Sequence, residues 1–175
     1  MILYRNAERK DWRNIAQLHA HSWKIHYRGI VTDDYLDNHV ENERKEVWRK
    51  RFEQPNKKQI IILAEEEEKL IGFTCVFLDA DETYGTLLDN LHVHPDRMRH
   101  GIGKVLMIKS AESIIKIKSN TSMYLWVLTA NEKAISFYEK LGGVRHETHK
   151  WKTPDNTNPE TYRYVWNDPS KLSKL

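Results

Sequence analysis

The chain has 175 residues, the size of one domain, and 39% of them are hydrophobic, enough for a core and too many for a disordered chain. Its 28 basic and 25 acidic residues leave a net charge of +3, without the basic excess that marks a nucleic-acid binder. No apolar run approaches the ~18 residues of a spanning helix, no signal-peptide pattern is present, and the lone Cys75 has no internal disulfide partner. A cytoplasmic protein with neither nucleic acid nor membrane as partner is expected.

Ile2–Arg5 reads as a short first strand. From Asp11 onward Trp12, Ile15, Ala16, His19 and Trp23 step by three and four, which is helical spacing. Thr32-Asp33-Asp34 starts a second helix before Tyr35 and Leu36, and a third covers Glu43 to Phe52, ended by Gln54-Pro55-Asn56. The period then changes. Gln59–Ala64 and Leu70–Leu78 are rich in β-branched and aromatic residues and flank an acidic turn, so they form a hairpin. Leu87–Val93 is the next strand and stops at Pro95.

After Gly103 the pattern is helical again, with Ile102, Leu106, Ser110, Ile114 and Ile117 as one stripe. Met123–Leu128 is almost wholly apolar, as a strand covered on both faces should be. Asn131 caps a helix with Ala134, Phe137, Tyr138 and Leu141 on its inner face, closed by Gly142-Gly143. Val144–Trp151 and Glu160–Trp166 are two last strands around the loop Thr153–Pro159. The order implies one α/β domain over 1–175, a mixed sheet with helices on both faces.

The segment Leu91 to Lys104 carries most of the chemistry. A strand ends, a polar turn follows, and a helix opens at Gly101 and Gly103. First-turn amides of a helix lack intrahelical partners and carry partial positive charge, and glycine lets an anion approach them. Arg97, Arg99, His100 and Lys104 add charge at the same place, which suits a pyrophosphate. Taken alone, Gly-x-Gly also fits a plain tight turn. A dinucleotide fingerprint is disfavoured by Leu106 at its third glycine, and no Gly-Lys-Ser/Thr phosphate loop is present.

Leu91–Lys104 resembles the acetyl-CoA motif of the GNAT acetyltransferase superfamily. Trp126-Val127-Leu128, with Asn131, Ala134 and Phe137 to Gly142, looks like that family's second cofactor motif, and Ser22–Gly29 like its first-helix region. The resemblance runs from about Ile2 to Val144. It departs at Met98, where the family has Arg or Gln, at Leu87, where some members place a catalytic Glu, and at Gly143-Val144 in place of Gly-Phe.

The resemblance implies the acyl-CoA N-acyltransferase fold, with a mostly antiparallel sheet of about seven strands. It also implies acetyl-CoA as co-substrate and direct transfer to a primary amine in a ternary complex. Leu91, His92 and Val93 would pair through their backbone with the pantetheine arm, and the strand would splay from Met123–Leu128 to admit it. Met98, Arg99, His100, Gly101, Ile102, Gly103 and Lys104 would hold the phosphates, with Asn131, Ala134 and Tyr138 against the rest of the cofactor. Tyr138 is the expected general acid for the departing thiolate, unless it is a core residue; Asn131 equally serves as a helix cap.

For the base, Asp89, Asn90 and His92 face the expected cleft, strand alternation sending Asp89 and His92 to opposite sides; Asp89 is preferred. His92 and His94 have no third ligand beside them in the sequence, so no metal is expected. Trp23, Tyr27, Arg28 and Tyr35 either frame a small-molecule amine acceptor or pack the helical layer. A protein N-terminus or lysine as acceptor, a non-catalytic acyl-CoA-binding module and a nucleotide-binding regulator stay open, as does a homodimer.

Overall fold

The computed structural model describes residues 1–174. Seven strands form one sheet in the order β1-β2-β3-β4-β5-β7-β6. They are β1 (Ile2–Asn6), β2 (Gln59–Glu66), β3 (Lys69–Asp81), β4 (Gly85–Val93), β5 (Met123–Leu128), β6 (Val144–Lys150) and β7 (Glu160–Trp166). Only β4 and β5 run parallel; every other neighbouring pair is antiparallel. The expected mixed, mostly antiparallel sheet is therefore what the chain builds.

The hairpin between β2 and β3 turns on Glu67 and Glu68, both left-handed at φ 50° and 62°. Two successive positive-φ residues match the right-handed twist of paired strands, here without glycine. The acidic run is thus a solvated turn.

Helices α1 (Trp12–His26), α2 (Asp33–Asn38) and α3 (Val40–Glu53) precede β2, with Thr32 capping α2 by accepting from the Tyr35 N–H. One face of the sheet carries α1 and α3: Ile15, Ala16, Leu18 and Trp48 pack with Leu63, Phe73 and Cys75. The opposite face carries α4 (Ile102–Ile117) and α5 (Glu132–Lys140). There Ile102 and Leu106 meet Ile62, Ala64 and Ile71, while Met107 and Leu141 join the cluster of Met123, Leu125, Tyr164 and Trp166. Sheet alternation explains the division, since Phe73 and Cys75 point one way and their neighbour Thr74 bonds Ser110 of α4 at 2.9 Å.

One member of the expected α4 stripe is misplaced. Ile117, the last residue of the helix, is 62% exposed. A short 3₁₀ turn, Pro169–Lys174, follows β7 and buries Leu172 in the α4 face cluster; no signal in the sequence announced it.

Candidate active site

Between β4 and β5 the pairing consists of Thr86 with Met123 and Leu87 with Tyr124. Beyond Leu87 the strands diverge, as the sequence led one to expect, and a cleft of about 1630 Å³ opens through the middle of the sheet. Its walls come from both layers: the start of α4 and the inner side of α5 on one face, α1 and α3 on the other.

At the α4 end, Gly101 is left-handed at φ 77° and serves as N-cap without any side-chain capping bond. Arg99, two residues earlier, is also left-handed at φ 66°. A side chain at Gly101 would find open space, so the glycine is required by backbone conformation and not by crowding. A left-handed Gly101 before the helical Ile102 is the backbone pattern of an anion nest, and the first-turn amides of α4 have no intrahelical acceptor. Arg97, Met98, Arg99, Ile102, Gly103 and Lys104 line the cleft beside it. His100 does not: its Nδ1 lies 2.9 Å from the Met98 carbonyl. The Met98 side chain is 43% exposed. The donor set of peptide amides, two arginines and a lysine suits a diphosphate.

Across the opening, Asn131 Oδ1 accepts from the Ala134 N–H at 3.1 Å and caps α5. Both residues line the cleft, so cap and wall are one position. Tyr138 projects from α5 onto the same wall, half-buried against Phe137, Tyr164 and Trp166. Burial, with a smaller contribution from Tyr27, raises its phenol pKa well above the ordinary tyrosine value, so the hydroxyl stays protonated. No protein group among the described residues hydrogen-bonds that hydroxyl.

On β4 the sequence expectation fails at one point. Cys75 pairs with Asn90 and Val76 with Leu88, so Asp89 is the extra residue of a bulge. The bulge resets the alternation. Asp89 and His92 both serve the α1/α3 side: Arg51 of α3 binds Asp89 Oδ2 at 2.8 Å and Asn90 Oδ1 at 3.1 Å, while His92 Nδ1 lies 2.8 Å from Ser22 Oγ of α1. The Asp89 carboxylate is therefore half of an ion pair, a poor arrangement for the base proposed from sequence. His94 Nδ1 accepts instead from the Asp96 N–H, so the two histidines have separate partners.

His92 belongs to a buried polar cluster. Its ring centroid is 4.5 Å from that of His19, whose Nδ1 accepts from Trp48 Nε1 at 3.0 Å. Indole is only a donor, so a neutral His19 carries its proton on Nε2, which is buried without a partner. Burial, then the nearby His26 and Arg44, pushes the His92 pKa down to about 3, and burial pushes His19 down as well. Both rings are neutral at physiological pH.

Of the four expected acceptor residues, two line the cleft. Trp23 and Tyr27 stack at 4.7 Å with an interplanar angle of 13°. Arg28 does not reach it; its guanidinium binds Asp33 and Asp37 at the surface. Tyr35 is 7% exposed in the helical core and donates to Glu43. Helical spacing places residues on a face but does not say where the cleft lies along it.

Trp151, Arg44, Arg51, His26 and Ser22 were not foreseen as wall residues. Trp151 stands edge-on to Trp23 at 5.7 Å and to Tyr27 at 6.1 Å. Its loop is latched by Asp155, which accepts from the Thr32 N–H at 2.7 Å and from Thr153 Oγ1 at 2.5 Å and Thr157 Oγ1 at 2.9 Å. Burial would raise this carboxyl; those hydrogen bonds prevail and hold it well below the usual carboxylate range. Because the folded pKa is depressed, the latch contributes above the unfolded value of about 4 and is lost as pH falls through the folded value. Asp155→Ala at neutral pH should therefore release the loop. Trp151 emission should shift toward that of exposed indole, and an acid titration of the native protein should reproduce the shift only below pH about 4. An unchanged Asp155→Ala spectrum would show that the latch does not hold Trp151.

The acetyltransferase (GNAT) family model matches residues 15–143. Among relatives, the uncharacterized N-acetyltransferase YuaI of Bacillus subtilis is 28% identical over 147 residues, covering 83% of this chain and 82% of that protein. A spermidine N(1)-acetyltransferase of Thermoplasma acidophilum is 29% identical over 136 residues, 76% of this chain and 82% of the other. In structure the chain resembles the PaiA N-acetyltransferase of Thermoplasma acidophilum, solved in complex with coenzyme A. The TM-score is 0.71 at 24% identity, over 94% of this chain and 99% of that one. With the family model spanning most of the chain, and with the parted strands and glycine-opened helix in the expected order, the chain belongs to the acetyltransferase (GNAT) family.

Proposed function

We propose that the protein transfers the acetyl group of acetyl-CoA to the primary amine of a small molecule, by direct attack within a ternary complex. The observation that carries this reading is the cleft itself. It crosses the sheet, with the anion nest and Tyr138 on the α4/α5 side and the aromatic pair Trp23–Tyr27 on the other. Bound acetyl-CoA would supply an activated thioester. The chain supplies its placement: amides around Gly101 with Arg97, Arg99 and Lys104 for the diphosphate, and the free side of β4 at Leu91–Val93 for the amide-bearing arm.

Transfer requires a neutral amine and a proton for the thiolate. An ordinary alkylammonium has a pKa near ~10.4, so losing its proton at neutral pH costs roughly 4–5 kcal/mol. His92, whose burial holds its pKa down at about 3, and the ion-paired Asp89 are both weak acceptors, so the proton passes to water in the cleft. Tyr138 remains protonated and donates to the departing sulfur. The latched loop packs Trp151 against Trp23 on the acceptor side, an arrangement that suits a small amine. The spermidine acetyltransferase relative is consistent with a small amine.

Thiol release from acetyl-CoA in the presence of polyamines, amino acids, aminoglycosides and peptides tests the proposal. Turnover with one of the small amines is expected. Coenzyme A binding by calorimetry with no acetylation of any amine would leave a cofactor-binding module in place of an enzyme.

A further inference from the structure

We propose that the acceptor amine also carries an anionic group, and that Arg44 receives it. The inference rests on the acetyl-transfer reading above and specifies its substrate class. Its basis is the distribution of charge along the cleft. Among the described residues lining it, the acids are Asp89 and Glu132. Glu132 opens α5 next to Lys133, on the cofactor side. Asp89 is held by Arg51, whose other hydrogen bonds go to Asn90 Oδ1 and Cys75 Sγ. On the α1/α3 side the lining carboxylate, Asp89, already pairs with Arg51 through Oδ2, so two guanidiniums face one acid.

The positive charge there is fixed. Arg44 lies in α3, one face of the sheet away from the anion nest, with its guanidinium 4.6 Å above the Trp23 ring. Its Nε and Nη2 both donate to Glu43, at 3.0 and 2.5 Å, and the same carboxylate accepts from Tyr35. Glu43 is not a wall residue, so the clamp sits behind the guanidinium. Nη1 has no protein partner among the described residues, and it is not sealed from solvent. The Nη1 N–H donors, held in place by the Glu43 clamp and by stacking on an aromatic ring, can give charge-assisted hydrogen bonds to a carboxylate or phosphate oxygen. A polyamine tail at this place would meet Arg44 and Arg51, with Asp89 already paired to Arg51. Cationic acceptors are therefore disfavoured here, whatever a relative uses.

The test is a matched series of short primary amines that differ at the far end: 4-aminobutanoate, 3-aminopropyl phosphate, 4-aminobutanol and 1,4-diaminobutane. Both or either of the anionic probes should exceed the diamine at least about tenfold in kcat/KM, and comparison of the two identifies carboxylate or phosphate as the preferred anion. In Arg44→Gln the ratio of the better anion to the alcohol should fall about tenfold or more, with Arg44→Lys intermediate. That ratio is internal to each variant, so a partial loss of folded protein does not mimic the effect. A wild-type preference for the diamine or the alcohol, or an unchanged ratio in Arg44→Gln, overturns the inference while leaving acetyl transfer intact. If no amine is acetylated although coenzyme A binds, the enzyme reading fails instead, and this inference with it.

Discussion

Tyr138→Phe is expected to lower kcat by about a hundredfold or more, equivalent to roughly 2.7 kcal/mol of barrier, while coenzyme A affinity changes less than about twofold. The ring that phenylalanine retains makes the contacts: an edge with Phe137 at 5.3 Å and another with Trp166 at 6.0 Å. The hydroxyl it loses bonds no protein group among the described residues, so the substitution removes a donor from the cleft without orphaning a partner. The native phenol, raised by burial, keeps its proton as the medium becomes alkaline. Native kcat should accordingly show no loss attributable to this group up to the ordinary tyrosine value of about 10. Steady-state rates with acetyl-CoA and the best amine of the panel decide the matter; a Phe variant within about threefold of native kcat removes Tyr138 from the chemistry.

Trp48→Ala should cost about 3–5 kcal/mol of stability, or on the order of 10 °C in Tm for a chain of this size. Trp48 is 0% exposed and stands edge-on to Phe73 at 5.4 Å, with the Arg51 guanidinium 4.8 Å over its ring. The neighbouring helices are held by the rest of the core and cannot collapse into so large a void. Trp48→Phe separates packing from hydrogen bonding. It preserves much of the bulk but removes the donor to His19 Nδ1, leaving a buried acceptor unmet at about 1–3 kcal/mol. Urea denaturation of both variants is the measurement, and an alanine variant losing less than about 1 kcal/mol would mean the site relaxes far more than a packed core should.

Much of this architecture is written in local sequence. The periods of three and four after Asp11, the β-branched runs around the acidic turn and the capping residues Thr32 and Asn131 each give their element without help from the rest of the chain. The glycine-opened helix is equally local, because Gly101 needs its left-handed backbone whatever surrounds it. The acceptor side is another matter. Asp89 was assigned a side by simple alternation, and one bulge, invisible in the residue string, moved it beside Arg51. Arg28, in the turn after α1, and Tyr35, in α2, lie close in sequence to Trp23 and Tyr27 yet do not line the cleft, whereas Arg44 and Trp151 enter it from segments 107 residues apart in number. Such positions depend on how α3 and the loop after β6 dock, and docking is a sum of many weak contacts with no short signature.

The divergence of β4 from β5 has a consequence for how this protein ages in solution. Two strands that separate in mid-sheet expose ladder groups of the kind that elsewhere recruit foreign strands and seed aggregation. Here those groups lie inside the molecule, screened above and below by helices, at a depth an intruding polypeptide does not reach. A slender amide-bearing chain does reach it, so the sheet is left open toward a ligand and closed toward its own kind.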